Sequence, residues 1–438
     1  MSTSNSRKRR YHQSLFLTAS LALGVLPLSA FAQSTLIHAG ALWDGTGAGM
    51  QEEMTIVVNN GQIQSIARGF QQPGASDTLI DLSDKTVLPG LIDLHVHIES
   101  ETAPGSTINR FTLNPADIAF NASVNARRTL HAGFTTIREL GGTGVNIALR
   151  NAINQGKVDG PRIITVGKSI ATTGGHADPT NGWRDDLMGA PGPDQGVINS
   201  PEQAREAVRQ QYKNGADHIK ITATGGVLSV AANGQNPQFM LDELEAVVET
   251  ARDYGMHVAA HAHGKEGMLR AIRAGVHTIE HGTYMDEEVM QAMVEHGTWY
   301  VPTISAGKFV AEQADIPGYY HPLVVPKARE IGPLIQDTFA RAYRYGVKIA
   351  FGTDASVFPH AQNARELAFM VEAGMPEDEA LLSATSVAAG VLGLESQIGS
   401  IEAGKSADII AVSGNPLQDI NAMMNVQFVM KQGTVYRD

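Results

Sequence analysis

The chain has 438 residues, about three times a typical domain of roughly 150, so it holds one very large domain or two of unequal size. Its residues are 43% apolar and 18% charged, which supports a large core and excludes a disordered or coiled-coil chain. The net charge of −12 argues against nucleic acid and anionic membrane surfaces as partners, and the lack of cysteine excludes disulfide frameworks, thiolate metal sites and cysteine nucleophiles.

The first 32 residues have the pattern of a secretory signal peptide. Four basic residues, Arg7–Arg10, precede an apolar run from Leu15 to Leu28, and Ala30-Phe31-Ala32 fits a small-residue cleavage site. We therefore predict a signal peptide at 1–32 and an exported, periplasmic or secreted protein without stable membrane association. Its removal would change the net charge from −12 to −16, because the segment has four basic and no acidic residues. An uncleaved membrane anchor is the alternative, although the apolar run is short and contains Pro27.

Both ends of the remaining chain are predicted to form short strands separated by turns. Between Thr35 and Pro89, Asn60-Gly61 separates two apolar runs, which is a strong hairpin signal. The last forty residues alternate apolar runs and turns in the same way. We predict a small composite β-sandwich formed by both chain ends, from an amino-terminal segment at 33–88 and a carboxyl-terminal segment at 398–438. Two unrelated flaps are the alternative.

Between these ends one unit recurs: an amphipathic helix, a glycine, a short apolar strand and a polar loop. Ser200-Pro201-Glu202-Gln203 has the capping residues and the proline of a helix start, and Gly215 marks the end of that helix. Eight strands are predicted, at residues 90–97, 134–140, 162–170, 218–221, 257–261, 276–281, 299–304 and 347–354. This alternation is typical of a (β/α)8 TIM-type barrel, predicted for residues 89–397. A doubly wound open sheet is the alternative.

Six polar side chains fall near the carboxyl ends of these strands. His95 and His97 are two residues apart on the first strand, so both imidazoles face the same way and can bind one cation. The others are Lys220 on the fourth strand, His261 on the fifth, His281 on the sixth and Asp354 on the eighth. Since a barrel has its active site at this end of its strands, we expect the six to converge.

The residue types in this set indicate a metal site. Four imidazoles, a carboxylate and no thiolate suit zinc, or manganese, cobalt or iron at similar geometry. Lys220 does not fit as an ammonium ion, because its charge would repel a dication. It fits as a neutral amine or as a modified, anionic side chain, and the spacing leaves both possibilities open.

The order of these six residues on barrel strands resembles the amidohydrolase superfamily with a two-metal site. Two further motifs are typical of that superfamily, namely Leu88-Pro89-Gly90-Leu91-Ile92-Asp93 before the histidine pair and Gly399-x-x-x-x-Gly404-Lys405-x-Ala407-Asp408 near the end. The terminal β segments resemble its composite sandwich domain. The resemblance therefore spans nearly the whole chain after the first 32 residues.

The resemblance implies two divalent metal ions, with Zn2+ as the expected ion, and a carboxylated Lys220 as the bridging ligand. It also implies a role for each of the other residues: His95 and His97 bind the more buried ion, His261 and His281 the more exposed one, and Asp354 binds the buried ion and is the catalytic acid/base. A homo-oligomer, up to an octamer, is implied as well.

Within the superfamily, three segments resemble the imidazolonepropionase-related branch: Lys220–Gly226, His261–Gly264 and Ile279–Thr283. This branch includes Xaa-Pro dipeptidases, carboxypeptidases that release a C-terminal amino acid, and bacterial amidohydrolases that hydrolyse ochratoxin A, which the chain resembles most. The resemblance implies cleavage of the amide bond of N-acyl or peptidyl L-amino acids by attack of a metal-bridging hydroxide. An Xaa-Pro dipeptidase and a cyclic-amide hydrolase or deaminase are the alternatives. A non-catalytic scaffold is disfavoured, because all six site residues are present.

The implied substrate is a small molecule or peptide with a free carboxylate, which needs a partner near the metals. Four residues on the strand-end loops are candidate substrate-binding residues: His176, Arg184, His263 and Tyr284. A surface role for His176 and a packing role for Tyr284 are equal alternatives. Three histidines at strand starts are expected to be structural: His218, His257 and His277. Residues 307–333 are predicted as a long connection that forms a lid or an oligomer contact.

Overall fold

The structure is a computed structural model that describes residues 33–231 and 233–438, so the predicted signal peptide at 1–32 lies outside the described residues. The strands are β1 (Thr35–Trp43), β2 (Met50–Asn59), β3 (Gln62–Arg68), β4 (Thr78–Pro89), β5 (Leu91–Val96), β6 (Phe134–Glu139), β7 (Arg162–Thr165), β8 (Ala171–Thr172), β9 (Val197–Ile198), β10 (Ile219–Thr222), β11 (Val258–Ala262), β12 (Thr278–His281), β13 (Trp299–Val301), β14 (Ile409–Val412), β15 (Val426–Lys431) and β16 (Thr434–Arg437).

The helices are α1 (Asn109–Thr112), α2 (Pro115–His131), α3 (Val145–Asn154), α4 (Asp185–Met188), α5 (Pro201–Asn214), α6 (Leu241–Asp253), α7 (Lys265–Ala274), α8 (Glu287–His296), α9 (Ile304–Gln313), α10 (Val325–Tyr345), α11 (Arg365–Glu372), α12 (Glu377–Ser383) and α13 (Ser386–Val391). None of these helices is both long enough and apolar enough to cross a membrane.

Eight parallel strand segments form the barrel. Two sheets, β5-β6-β7 and β10-β11-β12-β13, supply seven of them. They are joined beyond β7, where Ile170 pairs with Ile221 of β10. The eighth segment contains Ile349 and Ala355. Ile349 pairs with Tyr300 of β13, and Ala355 pairs with Val96 of β5, which closes the ring. The predicted (β/α)8 barrel is confirmed.

The outer helices pack apolar stripes against this barrel, as α5 illustrates. Ser200 caps the helix by accepting a hydrogen bond from the Gln203 backbone N–H, and Gly215 ends it at a φ of 95°. The buried side chains of α5 are Ala204, Ala207, Val208 and Gln211. Their i, i+3, i+4, i+7 spacing places them on one helical face, so the amphipathic pattern fixes which side of α5 faces the barrel.

A seven-stranded mixed sheet combines the two ends of the described chain, in the order β16-β15-β14-β4-β1-β2-β3. The central strand β4 pairs in parallel with β1 and antiparallel with β14. The sheet curls back on itself, since Ile63 of β3 donates a backbone hydrogen bond to Lys405 at 2.8 Å and accepts one from Gly404 at 2.8 Å. Its buried core includes Ile37, Ile56, Val87, Ile409 and Phe428. This is the predicted composite sandwich.

Several predicted elements differ from the structure; the third strand, for example, was expected to reach residue 170, but β7 ends at Thr165. The seventh strand was expected to extend to Ile304 but ends at Val301, because Ile304 already begins α9. Residues 307–333, expected as a long connection, lie largely in α9 and α10. Apolar residues of these helices and of their caps form a separate buried cluster, namely Val310, Ala314, Val324, Ala328 and Ile331. Their packing outweighs the Tyr-, His- and Pro-rich composition, and Pro333 lies inside α10.

An ion pair links the barrel to the C-terminal segment of the sandwich. Arg162 of β7 places Nη1 2.7 Å from Asp408 Oδ2, and the Asp408 side chain is only 4% exposed. Arg162 Nη1 also donates to Thr136 Oγ1 at 2.9 Å. The second carboxylate oxygen of Asp408 accepts the Gln432 backbone N–H at 2.8 Å. The pair thus joins one barrel strand to two segments of the sandwich.

We expect Arg162→Met to lower the free energy of unfolding by about 3 kcal/mol, because it leaves the buried Asp408 carboxylate without its counter-charge. Denaturant titration of Arg162→Met, Asp408→Asn and the double variant measures this. The double variant should be more stable than Arg162→Met alone, since neither charge is then left unpaired. A single variant as stable as the wild type would contradict a structural role for the pair.

Candidate metal centre

The structure brings all six predicted site residues together at one end of the barrel. They come from five strand segments: His95 lies in β5, His97 directly after it, Lys220 in β10, His261 in β11, His281 in β12, and Asp354 in the eighth segment, between Ile349 and Ala355. All six line one cavity of about 250 Å³. The side chains of His95, Lys220, His261 and His281 are buried, whereas His97 is partly open to the cavity.

The ligand atoms lie close to one another. His95 Nε2 and His97 Nε2 are each 3.5 Å from Asp354 Oδ1, and Lys220 Nζ is 3.4 Å from His95 Nε2. Asp354 Oδ1 is buried and has no hydrogen-bond partner among residues 33–231 and 233–438. A buried, unpartnered carboxylate oxygen beside two imidazole nitrogens is the environment in which a cation is stabilised.

Two donor groups can be distinguished within this cluster. In each, one atom per residue lies within 4.8 Å of the others: the first comprises His95, His281 and Asp354, and the second His261, His263 and His281. His281 is common to both, so the groups are adjacent. The residues present can therefore supply the ligands of a metal ion in this part of the cavity.

For three of the imidazoles, a hydrogen bond to the protein determines which ring nitrogen has the proton. Three rings donate to groups that can only accept: His95 Nδ1 to Glu280 Oε2 at 2.8 Å, His97 Nδ1 to the Gly141 carbonyl at 2.6 Å, and His261 Nε2 to the Gly225 carbonyl at 3.0 Å. The proton of each neutral ring is therefore on the bonded nitrogen, and the other nitrogen has the lone pair that a metal ligand needs.

Burial sets the protonation of the cluster. It lowers the pKa of His97 to about 4, and it lowers the pKa values of His95, His261 and His281 well below the usual range of an imidazole. Burial also lowers the pKa of Lys220, against the opposing effect of the Glu280 and Asp354 charges. The imidazoles are thus neutral, which is the form that binds cations.

A buried ion pair lies beneath His95. Glu280 Oε1 accepts from Arg138 Nη2 at 2.9 Å, and both side chains are fully buried. Arg138 Nε also donates to the Leu94 carbonyl of β5 at 2.7 Å. Because Glu280 also accepts from His95 Nδ1, the carboxylate fixes the ring from the interior of the barrel. Sequence reasoning missed Glu280 and Arg138, which lie within predicted strands and gave no spacing signal.

Asp93 joins the first and eighth strand segments below the site. One carboxylate oxygen accepts the backbone N–H of His95 at 3.0 Å and of Thr353 at 3.1 Å, and the other accepts Thr353 Oγ1 at 2.6 Å and Asn363 Nδ2 at 2.7 Å. The strands approach closely here: a Cβ on Gly352 would lie 3.1 Å from His95 Cβ. Asp93 belongs to the motif before the histidine pair, but the motif alone did not predict that its carboxylate joins the two strand segments.

Near the ends of three successive strand segments, a non-glycine residue has a left-handed backbone: His281 at φ 70°, Thr303 at φ 55° and Asp354 at φ 61°. All three line the cavity. Such values are strained for residues with a Cβ, and most of all for β-branched threonine. Backbone strain therefore concentrates at the ends of the sixth, seventh and eighth strand segments, where side chains turn into the site.

Thr303 is a site residue that sequence reasoning missed. Its Oγ1 lies 2.8 Å from His281 Nδ1. The turn that follows is held by buried Glu366, which accepts the backbone N–H groups of Ile304 at 2.7 Å and Ser305 at 2.6 Å. The seventh strand has no histidine or carboxylate, and the available signal was a single polar residue directly after its apolar run.

Two of the four predicted substrate-binding residues line the cavity. The His263 ring lies 4.9 Å from that of His281, and its Nδ1 is 2.9 Å from Thr283 Oγ1. The His176 ring stacks on His261 at 4.3 Å. A side chain at Gly226 would collide with the His176 ring, so the glycine is needed for this approach.

The other two predicted residues, Arg184 and Tyr284, are not among the residues that line this cavity. The Arg184 side chain is 74% exposed and pairs with Asp186 on the outer side of its loop. Tyr284 donates its hydroxyl hydrogen bond to Glu330 at 2.8 Å. That neighbouring carboxylate would repel a substrate carboxylate. Their sequence positions after strands did not reveal these local acidic partners.

The three histidines expected to be structural lie at the opposite end of the barrel. The His257 ring stacks on His277 at 4.0 Å and lies 5.1 Å from His218. Their strands begin at this end, so they are separated from the cluster around His95 by the length of the barrel strands.

Comparison with known proteins agrees with this geometry. A family model described as the amidohydrolase family matches residues 86–436. The chain belongs to the amidohydrolase family. It is therefore a hydrolase that acts on amide bonds, as predicted.

Two relatives and one solved structure place it more closely. Ochratoxinase of Aspergillus niger is 31% identical over 436 residues, covering 93% of this chain and 87% of that protein. A crystal structure of a Xaa-Pro dipeptidase with bound methionine in the active site is 53% identical, with a TM-score of 0.90, and covers 93% of this chain and 100% of that one. Imidazolonepropionase of Acinetobacter baumannii is 26% identical, covering 82% of this chain and 87% of that protein.

We expect Thr303→Val to lower turnover and metal affinity by about tenfold or more, because valine keeps the branched shape but cannot bond to His281 Nδ1. Thr303→Ser keeps the hydroxyl and should retain most of both. Metal content and kcat are measured for each. Thr129→Val, at a buried threonine on α2, is the matched control. Equal behaviour of the valine and serine variants would show that the hydroxyl is not needed.

Proposed function

We propose that this protein is a binuclear-metal amidohydrolase that cleaves the amide bond of N-acyl or peptidyl L-amino acids with a free carboxylate. The observation that carries the proposal is the convergence of His95 Nε2 and His97 Nε2 on Asp354 Oδ1, at 3.5 Å each, beside His261 and His281. The similarity to ochratoxinase supports amide cleavage next to an amino acid. Ochratoxin A, split into ochratoxin alpha and phenylalanine, is the candidate substrate.

The proposed ligands divide into two sets. His95, His97 and Asp354 would hold the more buried cation and His261 and His281 the more exposed one, with carboxylated Lys220 between them. Divalent ions, with zinc expected, would lower the pKa of bound water and polarise the substrate carbonyl. Asp354 would bind the cation through Oδ1, and its carboxylate would accept a proton and pass it to the leaving nitrogen. The buried position of this carboxylate, 3.5 Å from two imidazoles, supports both roles.

Carboxylation of Lys220 would resolve the charge conflict at the centre of the site. The ammonium first loses a proton to give the neutral amine. The amine then adds to carbon dioxide and loses a second proton, so a cationic side chain becomes an anionic carbamate. The position of Nζ supports this reaction, because it lies 3.4 Å from His95 Nε2 and lines the cavity. An ammonium ion at that position would disfavour binding of dications.

We expect Lys220→Ala to lose metal and activity together, with partial rescue by short carboxylic acids that replace the missing carbamate. Metal analysis of the purified variant, with and without added acetate or propionate, measures this. A mass increase on Lys220 in the native protein, lost on acidification, is an independent readout. Two bound metals and normal turnover in Lys220→Ala would contradict the proposal.

We expect Asp354→Asn to lower kcat by about 10²–10⁴ while metal content falls much less, because the amide keeps an oxygen ligand but cannot accept a proton. The measurement is kcat per bound metal, not per protein. Activity that declines only in proportion to lost metal would make Asp354 a ligand without an acid/base role.

The cavity lined by the six site residues, the first cavity of the molecule, also indicates which amino acid would be released. Beside His176 and His263, its wall is apolar, and includes Val227, Leu228, Val310, Ile331 and Ile335. We propose that the two histidines bind the free carboxylate and that the apolar wall receives an aromatic or bulky aliphatic side chain. The methionine bound in the active site of the similar Xaa-Pro dipeptidase structure supports this assignment.

We expect N-acyl-L-phenylalanine to be cleaved at least tenfold faster, by kcat/KM, than its carboxamide or its D-isomer. The reason is that the carboxamide cannot form the charge-assisted contact, and the D-isomer cannot place carboxylate and side chain together. Equal cleavage of acid and carboxamide would favour the cyclic-amide hydrolase instead.

An Xaa-Pro dipeptidase is the second candidate, favoured by the 53% identity to that crystal structure. A panel of Xaa-Pro dipeptides against N-acyl amino acids distinguishes the two. The cyclic-amide hydrolase or deaminase ranks behind them, because imidazolonepropionase is only 26% identical. Metal analysis tests the non-catalytic scaffold, which would bind neither ion.

We also propose export through the signal peptide at 1–32 and assembly as a homo-oligomer, up to an octamer. The basic and apolar pattern of the first 32 residues supports export. Amino-terminal sequencing of the exported protein tests the cleavage after Ala32. Sedimentation equilibrium tests the assembly.

A further inference from the structure

A second cavity of about 650 Å³ adjoins the first. The two cavities have three lining residues in common, His97, Ser169 and Ala177. We propose that this second cavity binds the acyl half of the substrate, and that it accepts a bulky aromatic acyl group with an acidic substituent. The inference rests on the proposed amide hydrolysis and adds to it the cavity and the residues that would bind the acyl group.

The direction of the substrate follows from which residues line which cavity. His176 and His263, the proposed partners of the amino-acid carboxylate, line the first cavity and lie apart from the second. The scissile carbonyl must lie beside the ligand cluster, to which His97 belongs. A substrate held in this way extends its acyl group past His97, and the second cavity begins there.

The walls of the second cavity indicate what it binds. Its apolar surface comes mainly from Pro179, Trp183, Met188 and Pro191. Trp183 is supported from behind by Phe111, with the ring centres 5.1 Å apart. A flat aromatic group buries more apolar surface against such walls than an acetyl group can. The cavity is also more than twice the volume of the first.

Lys168 supplies the charge. It is the one lysine, arginine or carboxylate residue among those that line the second cavity. Among the described residues its Nζ makes a single long contact, 3.5 Å to the Asp194 carbonyl. An ammonium has three donors, so two remain for a ligand. The protein has a net charge of −12, so its overall field repels an anionic acyl group. Lys168 would give such a group a local cationic partner.

The loop that contains Trp183 and Met188 also contains Arg184, which does not line the second cavity. Trp183 and Met188, on either side of it, line the cavity, whereas Arg184 pairs with Asp186 at the outer surface. The same loop would therefore contact the substrate through Trp183 and Met188, which lie on either side of Arg184 in the sequence. Lys168, which follows β7 in the chain, supplies the cation that lines this cavity.

The test uses four substrates with the same amino acid: N-acetyl-, N-benzoyl-, N-(4-carboxybenzoyl)- and N-(4-carbamoylbenzoyl)-L-phenylalanine. In the wild type we expect kcat/KM to be at least tenfold higher for benzoyl than for acetyl, and higher for carboxybenzoyl than for carbamoylbenzoyl. Lys168→Met should lower the carboxybenzoyl to carbamoylbenzoyl ratio about tenfold. Ala190→Trp, which fills the second cavity, should lower the benzoyl to acetyl ratio.

Lys157→Met, at an exposed lysine after α3, is the matched control and should leave both ratios unchanged. Wild-type preference for the acetyl substrate, or an unchanged charge ratio in Lys168→Met, would overturn the acyl-site proposal while amide hydrolysis stands. If no amide is cleaved, calorimetric binding of terephthalate and benzoate to the metal-loaded protein still tests the cavity. Terephthalate binding that is tighter and depends on Lys168 supports the acyl site even then, and binding that is independent of Lys168 overturns it.

Discussion

The carboxylate of Glu280 connects the interior of the barrel with the chemistry at its rim. It binds Arg138 on one side and His95 Nδ1 on the other, and it is fully buried. Arg138 in turn bonds to the Leu94 carbonyl of the strand that carries His95. Removing either charge would leave the other uncompensated inside the barrel, which typically costs roughly 3–5 kcal/mol. The orientation of His95 and the integrity of the barrel core are thus secured by the same group of atoms.

A conflict between strand geometry and ligand geometry also shapes the site. Successive side chains of a strand point to opposite faces, yet Glu280 and His281 both reach His95. The left-handed backbone of His281 interrupts the alternation and turns its ring into the cavity. Asp354 and Thr303 show the same deviation on the neighbouring strands. The hydrogen bonds of Glu366 and Asp93 hold the turns and strands beside these residues, so the strain is supported by fixed contacts.

Regular spacing made much of the molecule predictable. The helix caps at Ser200 and Gly215 and the apolar strands gave the barrel, and the Asn60-Gly61 turn indicated the hairpin that the structure forms between β2 and β3. The convergence of His95, His261 and Asp354 followed from a rule about strand ends that holds for barrels in general. Such features depend on residues that are close together in the chain or on a general rule of the fold, so they can be predicted from the sequence.

What escaped prediction depends on contacts between distant segments. Glu280 is one residue from a predicted ligand, but its partners Arg138 and His95 are far away in sequence. Arg184 resembled an anion-binding residue until its pairing with Asp186 was visible. The α9–α10 pair was mistaken for a connection because its apolar residues bury one another in a separate cluster. Composition does not reveal such pairings.

The composite sandwich imposes an order on folding. Strand β4 needs β14 as its antiparallel neighbour, and the entire barrel lies between them in the chain. The sheet therefore presents an unpaired edge at β4 until the carboxyl-terminal strands have folded onto it. Long-range pairing of this kind slows folding and exposes strand edges to aggregation. The sheet therefore cannot be completed until the carboxyl-terminal strand β14 pairs with β4.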